Sequence, residues 1–146
     1  MYLADYHMHS KYSFDGSEEL DTICQTAIRR GLSEIAITDH MDIYTGLPYD
    51  EQMNFDVPGG EQHHMDAVGL YKELCNMKEK YAGQLKVRIG AELGQPQVNP
   101  EAAELFMKDY GDVLDFVIGS IHNMEKDLDV YYYDFTKIDV AKMYEH

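Results

Sequence analysis

Four histidines and three acids stand where a cation would be better served than a packed core: His7, His9, His40 and His122 with Asp15, Asp39 and Glu92. His7 and His9 are separated only by Met8. Alternate side chains of a strand leave by opposite faces, so these two imidazoles project to one side, a pleat apart. A pair so placed suits a borderline-soft divalent cation such as Zn²⁺, Mn²⁺ or Fe²⁺. Glu92 offers a carboxylate that can lie between two cations and offset their repulsion. Asp15 can reach a third position. Taken singly, each residue has a plainer reading: packing for a His-x-His, a helix cap or surface ion pair for a lone acid, a satisfied loop histidine for His40. Their joint placement is what points to metal chemistry.

The elements that must position them alternate in type. Tyr2 to His7 reads as a strand. Ser17 offers an N-cap, and Leu20, Ile23, Cys24, Ala27 and Ile28 follow at helical spacing until Gly31. Glu34 to Thr38 suits a buried parallel strand. A second helix is expected from about Glu61 to Ala82, and a third strand from Leu85 to Glu92. Asn99-Pro100-Glu101 is a helix start with proline at the first position, and Gly111 is a stop. Leu114 to Ser120 is a fourth strand, and a last helix begins near Ile138. Such β-α alternation argues for a parallel sheet with right-handed crossovers, in either a doubly wound sheet or a β/α barrel.

Both architectures place a site at the carboxyl ends of the strands. His7 and His9 end strand one, Asp39 and His40 follow strand two, Glu92 ends strand three and His122 follows strand four. Each strand therefore delivers a metal-competent side chain to one edge. His63 and His64 are read as exposed, and His146 is assigned nothing. The stretch from Asp39 to Gly60, about twenty residues with little regular signal, is longer than compact domains usually carry without a use. It reads equally as a substrate-covering loop or a decorated surface loop.

Composition narrows the function. The 146 residues carry 12 Lys and Arg against 27 Asp and Glu, a formal charge of −15. Such a chain has no basic footprint for nucleic acid or an anionic membrane. Cys24 and Cys75 fall on apolar helix faces and read as buried free thiols. There is no secretory signal at the start and no apolar run of membrane-span length, so a cytoplasmic location is expected. No Gly-x-Gly-x-x-Gly or Gly-Lys-Ser/Thr loop is present, which argues against dinucleotide and P-loop chemistry. No clear Ser-His-Asp or Cys-His arrangement supplies a protein nucleophile.

Asp5-Tyr6-His7-Met8-His9-Ser10, Ser13-Phe14-Asp15-Gly16, Ile37-Thr38-Asp39-His40, Ile89-Gly90-Ala91-Glu92-Leu93-Gly94 and Phe116-Val117-Ile118-Gly119-Ser120-Ile121-His122 occur in that order. In these stretches the sequence resembles the PHP (polymerase and histidinol phosphatase) superfamily, and in particular its monofunctional histidinol-phosphatase branch. The resemblance implies an α/β fold, the first four β/α units of a distorted seven-stranded TIM-like barrel, forming the N-terminal part of a single phosphoesterase domain. It implies two or three divalent ions (Zn, Mn or Fe). His7 and His9 would bind the first, Glu92 would bridge the first and second, His122 would bind the second, and Asp15 and His40 the third. Asp39 would orient a neighbouring histidine or cap its loop.

The implied reaction is hydrolysis of L-histidinol phosphate in histidine biosynthesis, with water as nucleophile and Glu92 central to the site. Rival readings keep the enzyme class but place a phosphotyrosine protein or a nucleotide as substrate, or make the chain a non-catalytic metal-binding regulatory module. The family supplies three further ligands from later strands, which this sequence does not contain. The chain is therefore expected to be a truncated one, poorly stable as a monomer and little active alone. The expected partner is a small phosphomonoester, with no nucleic acid and no membrane; the oligomeric state is left open.

Overall fold

A computed structural model describes residues 1–43, 65–122, 130 and 133–143. His63, His64 and most of the long loop lie outside these residues. The elements are β1 (Ala4–Met8), α1 (Leu20–Arg29), β2 (Glu34–Ile37), β3 (His40–Asp42), α2 (Ala67–Lys80), β4 (Lys86–Gly94), α3 (Pro100–Tyr110), β5 (Phe116–Ser120) and α4 (Val140–Met143). All the strand pairings among the described residues are parallel. β4 is the spine: its first half pairs with β2, its second half pairs with β3 on one side and β5 on the other. β1 lies outside β2.

Helix ends follow local chemistry. Asn99 accepts from the Ala102 N–H at 3.2 Å, and Pro100 opens α3. At the end of α1, Gly31 adopts φ +77° while its N–H bonds Ile28 and that of Leu32 bonds Ala27, so the left-handed turn closes the last carbonyls. Three helix starts differ from the sequence reading, strand ends shift by one or two residues, and β3 adds a fifth strand to the four expected. α1 begins after Glu19, not Ser17, because the Lys11 N–H bonds the Glu18 carbonyl and holds residues 17 and 18 in the preceding loop. α2 begins at Ala67, capped by Asp66, whose carboxylate accepts from the Gly69 N–H at 2.8 Å. α4 begins at Val140, two residues beyond Ile138.

Burial explains the layering. Ile35, Ile37, Val87 and Ile89 of the sheet pack with Leu20, Cys24 and Ala27 of α1, Leu70, Tyr71 and Leu74 of α2, and Ala102, Ala103 and Phe106 of α3 in one core. Free Cys24 is buried within it and Cys75 packs against it. Ala36, between Ile35 and Ile37, is also buried but stands apart from this cluster, as alternation requires of the opposite face. On that face Tyr6 of β1 and Phe116 of β5 meet with ring centroids 5.6 Å apart, across the two intervening strands. No helix among the described residues is long and apolar enough to cross a membrane.

Candidate metal centre

Glu92 organises the cluster. It lies near the end of β4, 3% exposed, where a carboxylate needs partners. Its Oε2 is 3.0 Å from His7 Nε2 and 3.0 Å from His9 Nε2, and its Oε1 is 2.9 Å from His122 Nε2. One carboxylate thus faces imidazoles from two different strand ends, one group on each oxygen. The register of β1 shifts between Asp5 and Met8, an irregularity that re-aims side chains; Met8 packs against the core while His7 reaches Glu92.

The remaining groups close around this centre. Asp15 lies 2.9 Å from His9 Nδ1 and 3.6 Å from His40 Nε2. His40 is the first residue of β3, and its ring lies 4.4 Å from that of His9 and 4.9 Å from that of His122, centroid to centroid. Phe14 stacks on the other side of His40 at 4.7 Å, and the Ser13 hydroxyl accepts from the His40 N–H at 2.8 Å. All six residues singled out as ligands, His7, His9, Asp15, His40, Glu92 and His122, are therefore gathered at one edge of the sheet. Asp39 is not among them in space. Its buried carboxylate accepts from the Ser10 N–H at 2.6 Å and the Ser10 hydroxyl at 2.7 Å, so it fastens the loop after His9 instead of holding an imidazole.

Two residues escaped the sequence reading. Asp42, 7% exposed, places its carboxylate 3.2 Å from His40 Nδ1 and 3.4 Å from His122 Nδ1. Its signal was the same alternation that paired His7 with His9, since His40 and Asp42 are two apart. Gln95 adopts φ +57° just past β4, and its side-chain oxygen accepts from the His122 N–H at 3.0 Å. Nothing in its own spacing announced that.

Electrostatics follow from the geometry. Burial alone would lower the His9 and His40 imidazoles, but the facing carboxylates (Asp15 and Glu92, Asp15 and Asp42) more than reverse it and raise both to about 9. The Asp42 and Glu92 carboxylates lift His122 to about 10 against its burial. Burial would raise Glu92 and Asp15, yet the surrounding imidazoles hold both well below the usual carboxylate range. Without metal, Glu92 and Asp15 thus favour their ionised forms and His9, His40 and His122 their protonated ones, each by the presence of the other.

The donor set fits divalent ions. His7, His9 and Glu92 form one group of ligand atoms within 4.8 Å of one another; His9, Asp15 and His40 form a second; His40, Asp42 and His122 form a third. His9 Nε2 supplies a further sign. It is buried and 3.0 Å from Glu92 Oε2, yet not aligned to hydrogen-bond to it. Two donor atoms 3.0 Å apart with no hydrogen bond between them suit a shared cation.

Comparison with known proteins gives the same direction. The family model described as PHP domain matches residues 5–146. The chain belongs to the PHP domain family. Within it, the histidinol-phosphatase of Lactococcus lactis subsp. lactis (strain IL1403) is 28% identical over 141 residues, 97% of this chain and 46% of that protein. The histidinol-phosphatase of Bacillus subtilis (strain 168) is 26% identical over 124 residues, 84% of this chain and 45% of that one. This PHP chain thus spans about half the length of the curated relatives it matches. The crystal structure of histidinol phosphate phosphatase from the same Lactococcus strain, complexed with zinc, L-histidinol and phosphate, is similar at 27% identity with a TM-score of 0.66. That likeness covers 84% of this chain and 41% of the other.

Proposed function

We propose that this PHP chain forms the N-terminal β/α units of a distorted seven-stranded barrel, within a single metal-dependent phosphomonoesterase domain that hydrolyses L-histidinol phosphate to L-histidinol and phosphate. The observation that carries this reading is Glu92: one buried carboxylate, one oxygen toward His7 and His9, the other toward His122. That is the arrangement a bridging ligand between two close cations needs. The likeness to a phosphatase holding zinc, L-histidinol and phosphate supports the substrate class.

His7 and His9 would hold a first divalent ion, Glu92 the first and second, His122 the second, and Asp15 with His40 a third. When bound, such ions supply positive charge for phosphate oxygens and ease the deprotonation of water. The residues of the chain do the rest by position. Asp39 fixes Ser10 and with it the turn that presents His9. Ser10 and Ser13, in the loop that follows His9, are both buried, one engaged by Asp39 and the other by the His40 N–H. Neither of these two is free to attack phosphorus, and the reading takes water as the nucleophile.

Phosphate release tests the proposal. L-histidinol phosphate should be compared with phosphotyrosine peptide and nucleotide monoesters, with zinc or manganese, for this chain and for the longest open reading frame containing it. Strong preference for L-histidinol phosphate in the longer protein, and little turnover by these 146 residues alone, is the expected result. Release only from another ester would overturn the substrate.

A further inference from the structure

We infer that Asp42 is a positioning residue for two imidazoles at once, holding His40 and His122 so that both present Nε2 to the centre; the inference rests on the metal-centre reading above. Asp42 stands at the end of β3 and His122 just past β5, and β4 runs between them. Even so, its carboxylate lies 3.2 Å from His40 Nδ1 and 3.4 Å from His122 Nδ1. On the opposite nitrogens, His40 Nε2 lies 3.6 Å from Asp15 and His122 Nε2 lies 2.9 Å from Glu92; His40 Nδ1 is closer to Asp42, at 3.2 Å, than to Glu92, at 3.6 Å. Once a cation displaces the Nε2 protons, an Asp42 carboxylate accepting both Nδ1–H groups leaves both lone pairs on Nε2. This is the arrangement that orients a ligand imidazole and raises its basicity.

The strand beneath is built to allow it. Asp42 and Gly94 are register partners in the β3–β4 ladder, and Gly94 and Ser120 in the β4–β5 ladder. A Cβ added at Gly94 would collide with Asp42 Oδ1 and come within 3.1 Å of His122 Nδ1. The glycine therefore opens the channel through which one acid reaches across β4. Gln95 fixes the far end by accepting from the His122 N–H, and the Ile43 N–H bonds the Gly94 carbonyl at 2.9 Å, which holds the strand carrying Asp42 in place. Asp42 is 7% exposed, so its charge must be met by such donors.

Long-range ¹H–¹⁵N spectra of the histidine rings, recorded on this chain with and without zinc, read the tautomers directly. His40→Gln and His122→Gln assign the signals. With zinc, wild-type His40 and His122 should both keep a protonated Nδ1 and bind through Nε2. Asp42→Ala and Gly94→Ala should each lose that uniform tautomer and weaken zinc affinity by about 10- to 100-fold. Asp42→Asn, neutral but with an acceptor oxygen in the same place, should weaken zinc affinity less than Asp42→Ala. Zinc bound at Nδ1 of either ring would make Asp42 a co-ligand and overturn the inference, as would unchanged tautomers in Asp42→Ala. The wild-type spectrum decides this even where a variant does not fold. Zinc that shifts none of the four imidazoles would overturn the metal-centre reading itself, and the role of Asp42 with it.

Discussion

The two ends of the same sheet both cluster carboxylates, with Glu34 buried at one and Glu92 and Asp42 at the other, and they neutralise them in opposite ways. At the amino end of the strands, Glu34 accepts from Arg88 Nε at 2.5 Å, lies 3.4 Å from Lys86 Nζ and takes the Tyr2 hydroxyl; Asp115 accepts from Arg88 at 3.2 Å, Lys78 at 3.0 Å and the Ile89 N–H at 2.8 Å. Those cations keep their charge at any ordinary pH. At the carboxyl end, Glu92, Asp15 and Asp42 are met by imidazoles, whose charge is a removable proton. A permanently neutralised acid is a structural joint. An acid neutralised by exchangeable protons is a place where metal can substitute for them.

The largest expected effect breaks the carboxyl end. Glu92→Ala should remove the carboxylate shared by three imidazoles, lower bound metal measured by elemental analysis, and reduce phosphate release by the complete protein by more than about 100-fold, beyond what losing an outer partner costs. Asp39→Asn should weaken metal binding less, because it loosens only the Ser10 turn beside His9; zinc titration of both variants ranks them.

A second expectation uses pH. His9, His40 and His122 are raised from 6.5 to about 9, 9 and 10. In the metal-free chain their contribution to stability is complete below about 6.5 and is lost as pH rises through 9 to 10. Glu92 and Asp15 are depressed from 4.5 and 3.8, so theirs is present above those values and is lost as pH falls through the depressed ones. Thermal melts of the metal-free chain should therefore show falling stability toward both extremes. Metal affinity should move the other way on the alkaline side, rising by about tenfold per pH unit for each proton released until the imidazoles are neutral.

The amino end should answer differently. Arg88→Leu leaves Glu34 and Asp115 short of a partner, so the melting temperature should fall by several degrees with zinc affinity unchanged. A change in zinc affinity as large as that of Asp39→Asn would erase the distinction between the two ends. The smallest expected effect on the site comes from the core: Phe106→Ala opens a cavity among Tyr71, Tyr110 and the sheet and should cost about 3–5 kcal/mol, with the cluster around Glu92 unaffected in folded molecules.

Much of the sheet and the cluster was legible because alternation and spacing are local. The strands around His7, Glu34, Glu92 and Phe116 carry runs of β-branched or alternating residues, and the cap at Asn99 is spelled out by its proline. β3 was hidden because only three residues, His40–Asp42, pair with the far half of β4, and their pairing is decided by β4 and not by their own pattern. Asp42 stayed hidden with it. The start of α2 was misplaced because the periodicity has no marker separating Glu61 from Asp66, whereas the cap is made by the side-chain bond of Asp66 to Gly69. Asp39 could orient a neighbouring histidine or cap a loop, and spacing alone does not choose between them; its carboxylate turns to Ser10 and holds a loop.

The most direct measurement is calorimetric titration of the metal-free chain with zinc in two buffers of different ionisation enthalpy near pH 7.5, which counts ions bound and protons released together. More than one zinc per chain, with proton release that is lost in Glu92→Ala and retained in Arg88→Leu, is the expected result. Binding without proton release, or a stoichiometry indifferent to Glu92, would contradict the assignment of the carboxyl end as a metal centre.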